Sequence, residues 1–481
     1  MPETLNWSRT RREFLTAVAG ASAGVVLARP GVASAWRAPQ AVDPWAEMER
    51  IVARIRAPQF PTRDFDITKF GARPDGVTDA TAAIRDAIGA CAAAGGGRVV
   101  VPPGRFATGA VRLRSRVNLH VSEGATLLFS RDPRAFLPLV LTRFEGMELM
   151  NYSPLIYALD EQNVAVTGRG TIDGQADEKT WWPWKGGARG AAAATTQTPA
   201  RNRLMEQVAR GANVADRRYG EGGYLRPNFV QPYRCQNVLI EGVTIVNSPM
   251  WEVHPVLCTN VTVRGVTIRS HGPNNDGCDP ESCKDVLIER CVFDTGDDCL
   301  ALKSGRNDDG RRVNVPIENV VIRDCEMKDG HGGVTIGSEI SGGARNVFAL
   351  RCTMDSPQLD RALRFKNNSV RGGLVEHIYM RDVTVGQVAE AIVAADFFYE
   401  EGDSGKYTPV LRDVEVRNVT SRKSRYALLL RGYGHAPVTD VRVIDCTFDG
   451  VAEPDRLEGV RDVVLTNVRV NGTVRNERIS R

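Results

Sequence analysis

The sequence predicts an all-β, single-domain parallel β-helix with a helix capping its N-terminal end. Two observations carry this. A unit of Asn or Asp (His in one copy), alternating apolar residues, a short polar pair and a further strand recurs ten times, beginning at residues 163, 237, 260, 285, 319, 346, 377, 413, 440 and 462. Most spacings run from 22 to 36 residues, with short strands and no helix inside the unit. A repeat of that length and content reads as a β-solenoid. The comb of a leucine-rich repeat and the blade signature of a propeller are both missing.

The second observation is a deeper register. PNNDGCDPES (273–282), GDDCLALKSG (296–305), HGGVTIGSE (331–339) and RALRFKNN (361–368) align on Ser282, Ser304, Ser338 and Asn367. Cys278, Leu300, Val334 and Leu363 then share one position, and Pro280, Leu302, Ile336 and Phe365 the position two further on. That is a buried face of period two. Just before it, Asp276 aligns with Asp298 and Gly332, and Asn275 with Asp297 and His331.

The chain opens with Thr10-Arg11-Arg12-Glu13-Phe14-Leu15, an apolar run over 14–28, and Ala33-Ser34-Ala35. This reads as a twin-arginine export signal over 1–35. The run is short and rich in Gly and Ala, so it makes a poor membrane span. Cleavage after Ala35 would leave a soluble, exported chain in the periplasm or outside the cell. Residues 36–61 read as a linker, and 62–481 as the β-helix domain. Phe65–Gly71 is expected as a first strand and Asp75-Gly76 as a turn. Asp79 should cap a helix over 80–94 whose apolar residues are Ala83, Ile84, Ala87, Ile88 and Cys91. Such a helix covers the open end of a strand stack. Strands follow at 98–101, 111–113, 117–121 and 126–129.

The longest break in period, about 175–227, reads as an insertion emerging on one face, with a helix at 203–209. Its Trp181, Trp182 and Trp184 either stack on a sugar ring or pack the insertion onto the barrel. Cys291, Cys325, Cys352 and Cys446 sit where other repeats have Val243, Val266, Val383, Val419 and Val468. Thiols that alternate with valine read as buried apolar residues, not disulfide partners. A net charge of +4 without a basic run excludes a nucleic-acid partner.

Coils of a β-helix stack ~4.8 Å apart. Asp276, Asp297 and Asp298 therefore gather, and three carboxylates that close cannot all ionise cheaply. One acid beside one or two carboxylates is what glycosidic cleavage needs. His331 stacks on Asp297 by register. Arg364 and Lys366 point to the same groove and suit a substrate that carries carboxylates. Lys303 and Arg306 are weaker candidates of the same kind. Asp308-Asp309-Gly310 reads as a structural turn ladder. A calcium-dependent lyase, with the acids as a metal site, and a glycan-binding β-helix without turnover are the rival readings.

The ordered motifs Asn274-Asn275-Asp276, Asp297-Asp298, Gly330-His331-Gly332 and Arg364-Phe365-Lys366 resemble those of the family 28 glycoside hydrolases, the polygalacturonases and their relatives. Asn275 stands where that family often has threonine. The resemblance implies a right-handed β-helix and hydrolysis of α-1,4-galacturonosyl bonds with inversion, without cofactor or metal. It implies Asp297 as general acid, Asp276 with Asp298 as the water-activating pair, and His331 near the acid. It implies Arg364 and Lys366 holding a galacturonate carboxylate, with Asn274 and Lys303 beside them. SEISGGARN (338–346), MWEVHP (250–255) and the Trp-rich insertion resemble the bacterial members, many of which act from the chain end. Rhamnogalacturonan is the alternative substrate, and a monomer the expected state.

Overall fold

The computed structural model describes residues 43–186 and 195–481. The export signal and the first part of the predicted linker lie outside the described residues.

Each repeat makes one coil, and its first residue explains the turn. Asn163, Asn237, Asn260, Asp285, Asn319, Asn346, His377, Asp413, Asp440 and Asp462 all have left-handed backbone, with φ between 51° and 59°. Short polar side chains tolerate that region best. They also bond between coils: Asn237 donates to Asn163 at 2.9 Å, Asn260 to Asn237 at 2.6 Å, Asn319 to Asp285 at 3.0 Å and Asn346 to Asn319 at 2.9 Å. A strand follows, then a second left-handed residue, as at Gly242, Arg290, Asp324 and Asp382, then another strand.

The strands stack in parallel on three faces of a right-handed solenoid. The third face carries the site. Its strands are β1 (Val111–Arg112), β2 (Ile156–Leu159), β3 (Val230–Tyr233), β4 (Leu300–Leu302), β5 (Val334–Ile336), β6 (Arg361–Lys366), β7 (Ala391–Asp396), β8 (Tyr426–Arg431) and β9 (Arg456–Glu458). Between β3 and β4, residues 253–256 and 278–281 continue the face only through isolated bridges. Pro255 and Pro280 lie there and have no N–H to donate. The predicted register holds: Cys278 pairs with Leu300, Leu300 with Val334, and Val334 with Leu363.

One apolar core fills the solenoid. All ten cysteines are buried and free. Cys235, Cys258 and Cys283 stack, with each of the first two backbone N–H groups 3.4 Å from the next sulfur.

The linker reading of 36–61 needs correction. Helix α1 (Pro44–Arg54) lies inside it, capped by Asp43, which accepts from the Trp45 N–H at 3.1 Å. Trp45, Met48 and Ile51 bury against Leu287, Val321, Phe348 and Tyr379 on the outer side of the first face. Their i, i+3 spacing was hidden in a short, proline-flanked stretch. Helix α2 (Thr81–Ala93) buries the five residues expected of it and caps the N-terminal end. At the opposite end an antiparallel hairpin of 460–470 and 473–479 covers the last strand of the first two faces. The strand expected at 65–71 spans only Asp64–Asp66, because Asp66 accepts from the Thr68 N–H at 2.8 Å and starts a 3₁₀ turn. The expected turn at Asp75-Gly76 instead opens a strand, Asp75–Asp79.

In the insertion, helix α3 (Thr198–Ala209) starts earlier than predicted and packs Ala200, Leu204 and Val208 on Phe144, Met147 and Leu149. Those three belong to an antiparallel hairpin, 140–144 with 147–151, that the repeat pattern did not announce. The tryptophans pack the insertion down. Trp181 is buried against Phe136 at 5.6 Å and Trp184 at 4.8 Å, and Trp182 donates to the Ser248 carbonyl at 2.9 Å. Asp308–Gly310 form no turn ladder but lie in a short helix, α4 (Asn307–Val313), where Asp309 binds Arg217 at 2.8 Å. No helix among the described residues is long and apolar enough to cross a membrane.

Candidate active site

The loops that enter strand positions on the third face bring the predicted residues together. Asn275 is a staple. Its Oδ1 accepts from Ser270 at 2.7 Å and the Gly272 N–H at 2.8 Å, and its Nδ2 donates to two carbonyls of the preceding coil at 3.1 Å. This fixes Asp276 at the floor of a cleft of about 360 Å³. Gly332 leaves room for its neighbours: a Cβ there would lie 2.3 Å from the Thr335 hydroxyl and 3.0 Å from Asp298 Oδ1.

One oxygen each of Asp276, Asp297 and Asp298 lies within 4.8 Å of the other two. Their surroundings separate their proton affinities. Asp298 is fully buried, which alone would favour its neutral form. Lys366 at 2.6 Å and Arg364 at 3.1 Å, with Lys303 further off, outweigh burial and hold it well below the usual carboxylate range. Asp297 is also desolvated, but His331 Nδ1 at 3.0 Å and the Asp298 N–H at 3.0 Å favour its ionised form, and it too is lowered. Asp276 has neither advantage. Its Oδ1 has no hydrogen bond and its nearest cation, Lys303, is 3.5 Å away. Burial, then the charge of Asp297, push it up to about 7. Below about pH 7 the cluster therefore holds one proton, on Asp276 in the free site. Asp297 in turn raises His331.

The cations differ from expectation. Arg364 and Lys366 line the cleft, but both already bind Asp298. Lys303 is buried, with Asp276 and Asp279 at 3.5 Å, Glu339 at 3.2 Å and the Trp251 ring centroid at 4.3 Å. It neutralises the floor and is not free to grip a ligand. Arg306 is likewise buried between Glu339 at 3.1 Å, Glu400 at 2.9 Å and Glu145 at 3.5 Å. Asn274 lines the cleft with left-handed backbone (φ 57°), and its Oδ1 accepts from Arg226 at 2.7 Å. A divalent ion in the carboxylate cluster would compete with cations already within 3.5 Å, so the acids are matched to side chains.

Sequence reasoning missed the walls. Glu145 comes from the turn of the unannounced hairpin, Lys185 and Arg201 from the insertion, and Tyr399 and Glu400 from the loop after β7. These segments break the repeat, so no register pointed to them. Glu339 was legible within HGGVTIGSE but received no role. Glu145 and Glu400 both reach Arg306, which ties the two walls together beyond the ends of β4, β5 and β7. The arrangement is a cleft in which three acids of different proton affinity are surrounded by a mixed network of lysines, arginines and further carboxylates.

The sequence profile of "Glycosyl hydrolases family 28" matches residues 211–469. A second profile, "Rhamnogalacturonase A/epimerase, pectate lyase-like", matches residues 65–120. The chain is similar to the crystal structure of a hyperthermoactive exopolygalacturonase from Thermotoga maritima, at 45% identity and a TM-score of 0.87 over 90% of this chain and 97% of that one. It is 28% identical to a probable polygalacturonase of Vitis vinifera over 81% of this chain and 75% of that protein. It is also 28% identical to an exo-poly-alpha-D-galacturonosidase of Dickeya chrysanthemi, over 75% of this chain and 62% of the other.

Proposed function

The chain belongs to family 28 of the glycosyl hydrolases, and from that premise we propose that its cleft removes galacturonate from the end of a polygalacturonate chain by hydrolysis with inversion. The observation that carries hydrolysis is the carboxylate trio gathered in one cleft, and the similarity to exo-acting relatives supports action at the chain end.

Cleavage needs a proton for the leaving oxygen and an activated water. Asp298 cannot supply the proton, because Lys366 and Arg364 keep it ionised. Of the three carboxyls, Asp297 has the side chain most open to the cleft, at 18% against 4% for Asp276 and none for Asp298. It is therefore the group a glycosidic oxygen can reach, and we assign it as the acid. The free site stores the proton on Asp276, beside Asp297, while Asp297 also raises the proton affinity of His331. Substrate binding brings a further carboxylate and more desolvation, which both favour moving that proton onto Asp297. Asp276, once ionised, and Asp298 then polarise the attacking water.

The oxygen separation within 4.8 Å is nearer the ~5 Å of double-displacement enzymes than the ~6.5–9.5 Å of single displacement. Inversion here rests on the family. Proton NMR of the first product tests it: the β-anomer of galacturonate appears first if the enzyme inverts, and the α-anomer would place Asp276 as a nucleophile.

The deciding experiment digests polygalacturonate with EDTA present and follows reducing ends, ultraviolet absorbance and product length together. Reducing ends with monomer and no unsaturated product are expected. Unsaturated product would make the protein a lyase, and inertness towards polygalacturonate would move the search to rhamnogalacturonan. We also propose that the chain acts as a monomer, exported by the twin-arginine route; Arg11 and Arg12, the apolar run and Ala33-Ser34-Ala35 support export. Replacing both arginines by lysine should retain the protein in the cytoplasm.

A further inference from the structure

Each cation on the cleft floor is already engaged. Arg364 and Lys366 bind Asp298, Lys303 binds three acids, and Arg306 binds Glu339, Glu145 and Glu400. Arg201, on the wall, binds Glu145 at 2.5 Å. Lys185 is different. It lines the cleft, is half-buried, and makes no ion pair within 4.0 Å with any described residue. It is also held in place. It ends the 3₁₀ turn Trp182–Lys185, which is anchored by the Trp182–Ser248 hydrogen bond and the Trp184 contacts with Trp181 and Tyr224. Lys185 therefore stands on a braced support in the cleft wall, near the Glu145–Arg201 pair, where its charge favours ionised Glu145 without closing to an ion pair.

We propose that Lys185 is a specificity-determining residue: its ammonium binds the carboxylate of the terminal galacturonate in the cleft. This rests on the functional reading above. The floor cations cannot take that carboxylate without giving up Asp298, Asp276 or Glu339. Lys185 can take it without breaking any ion pair. A lysine is a compact, mobile point charge, suited to one carboxylate on a sugar that must enter and leave. A neutral terminal sugar would leave the ammonium desolvated without a partner, which is a penalty as well as a missing attraction. The residue thus reads which sugar occupies the end, while the floor acids perform the cleavage.

The test is a cycle of enzyme and substrate changes. Trigalacturonate and its analogue methyl-esterified on the released residue are compared with the parent, Lys185→Met and Lys185→Arg. In the parent the ester should raise KM at least tenfold. In Lys185→Met, KM for the unmodified substrate should rise at least tenfold, kcat should fall less than threefold, and the ester penalty should shrink to under twofold. Lys185→Arg should restore most of the discrimination. An ester penalty that persists in Lys185→Met overturns the inference. If Lys185→Met fails to fold, as circular dichroism would show, Lys185→Gln replaces it with the same criteria. A parent that does not cut trigalacturonate overturns the functional reading itself; a parent that cuts it with an unchanged penalty in the variant overturns only the role of Lys185.

Discussion

Asp276 is the residue whose ionisation folding resists. Its carboxyl is pushed up from the ordinary 3.8 to about 7, so its contribution to stability is full below the ordinary value and is lost as pH rises through about 7. Asp276→Asn should raise the melting temperature by several degrees at pH 8 and change it little at pH 4, since the neutral amide removes a cost present only in the ionised form. Thermal melts at the two pH values check this. The same proton sets the rate. kcat/KM should peak at mildly acidic pH and fall about tenfold per unit above about pH 7. Lys366 was read from the sequence as a substrate ligand, but its 2.6 Å bond to buried Asp298 changes the expectation. Lys366→Met should leave a buried charge short of a partner, costing about 3 kcal/mol in denaturant unfolding, and should lower kcat more than it raises KM. The alternation of Arg364 and Lys366 along a strand was legible in the sequence. Their prior engagement with Asp298 was not, because it depends on which rotamer each long side chain adopts once a carboxylate is in reach.

At the scale of elements, legibility followed the repeat. The Asn/Asp positions, the valine–cysteine alternation and the four-strand register could be read because each coil repeats the demands of the one before. The Asn/Asp signal has a backbone cause in the left-handed turn, which makes it reliable in nine of the ten units, with His377 taking the same conformation in the other. What fell outside the period was not legible. Helix α1 is a single amphipathic turn-and-a-half of contacts on the outer side of the first face, and the hairpin over 140–151 is stabilised by α3, far along the chain. Helix α1 should act on stability alone. Ile51 is fully buried against Leu287 and Val321, remote in the fold from the third face, so Ile51→Ala should cost about 2–4 kcal/mol in unfolding. KM at a permissive temperature should not move. A change in KM would show that α1 is coupled to the cleft.

For the molecule as a whole, the solenoid supplies a stack of equivalent coils, and the irregular segments wall one stretch of that stack into a cleft. Family membership and the acid cluster account for the chemistry, and the proposed end action assigns to the hairpin, the insertion and the loop after β7 the choice of where along a polymer it is done. Arg306 holds those additions together through Glu145 and Glu400. Arg306→Met should loosen the two walls, and under the proposed end action chromatography of early digests should then show dimers and trimers beside the monomer. A digest that remains purely monomeric would mean that the walls stand without it.

The tie at Arg306 also bears on turnover. In the end-acting mode proposed above, the cleaved sugar lies deeper in the cleft than the remaining polymer. The sugar can leave only after the polymer has backed out of the mouth. Each cut is then followed by complete dissociation, and the enzyme cannot slide to the next bond on the same chain. Digestion would therefore shorten all chains of a population together, one unit at a time, and accumulated monomer would slow the reaction by reoccupying the dead end.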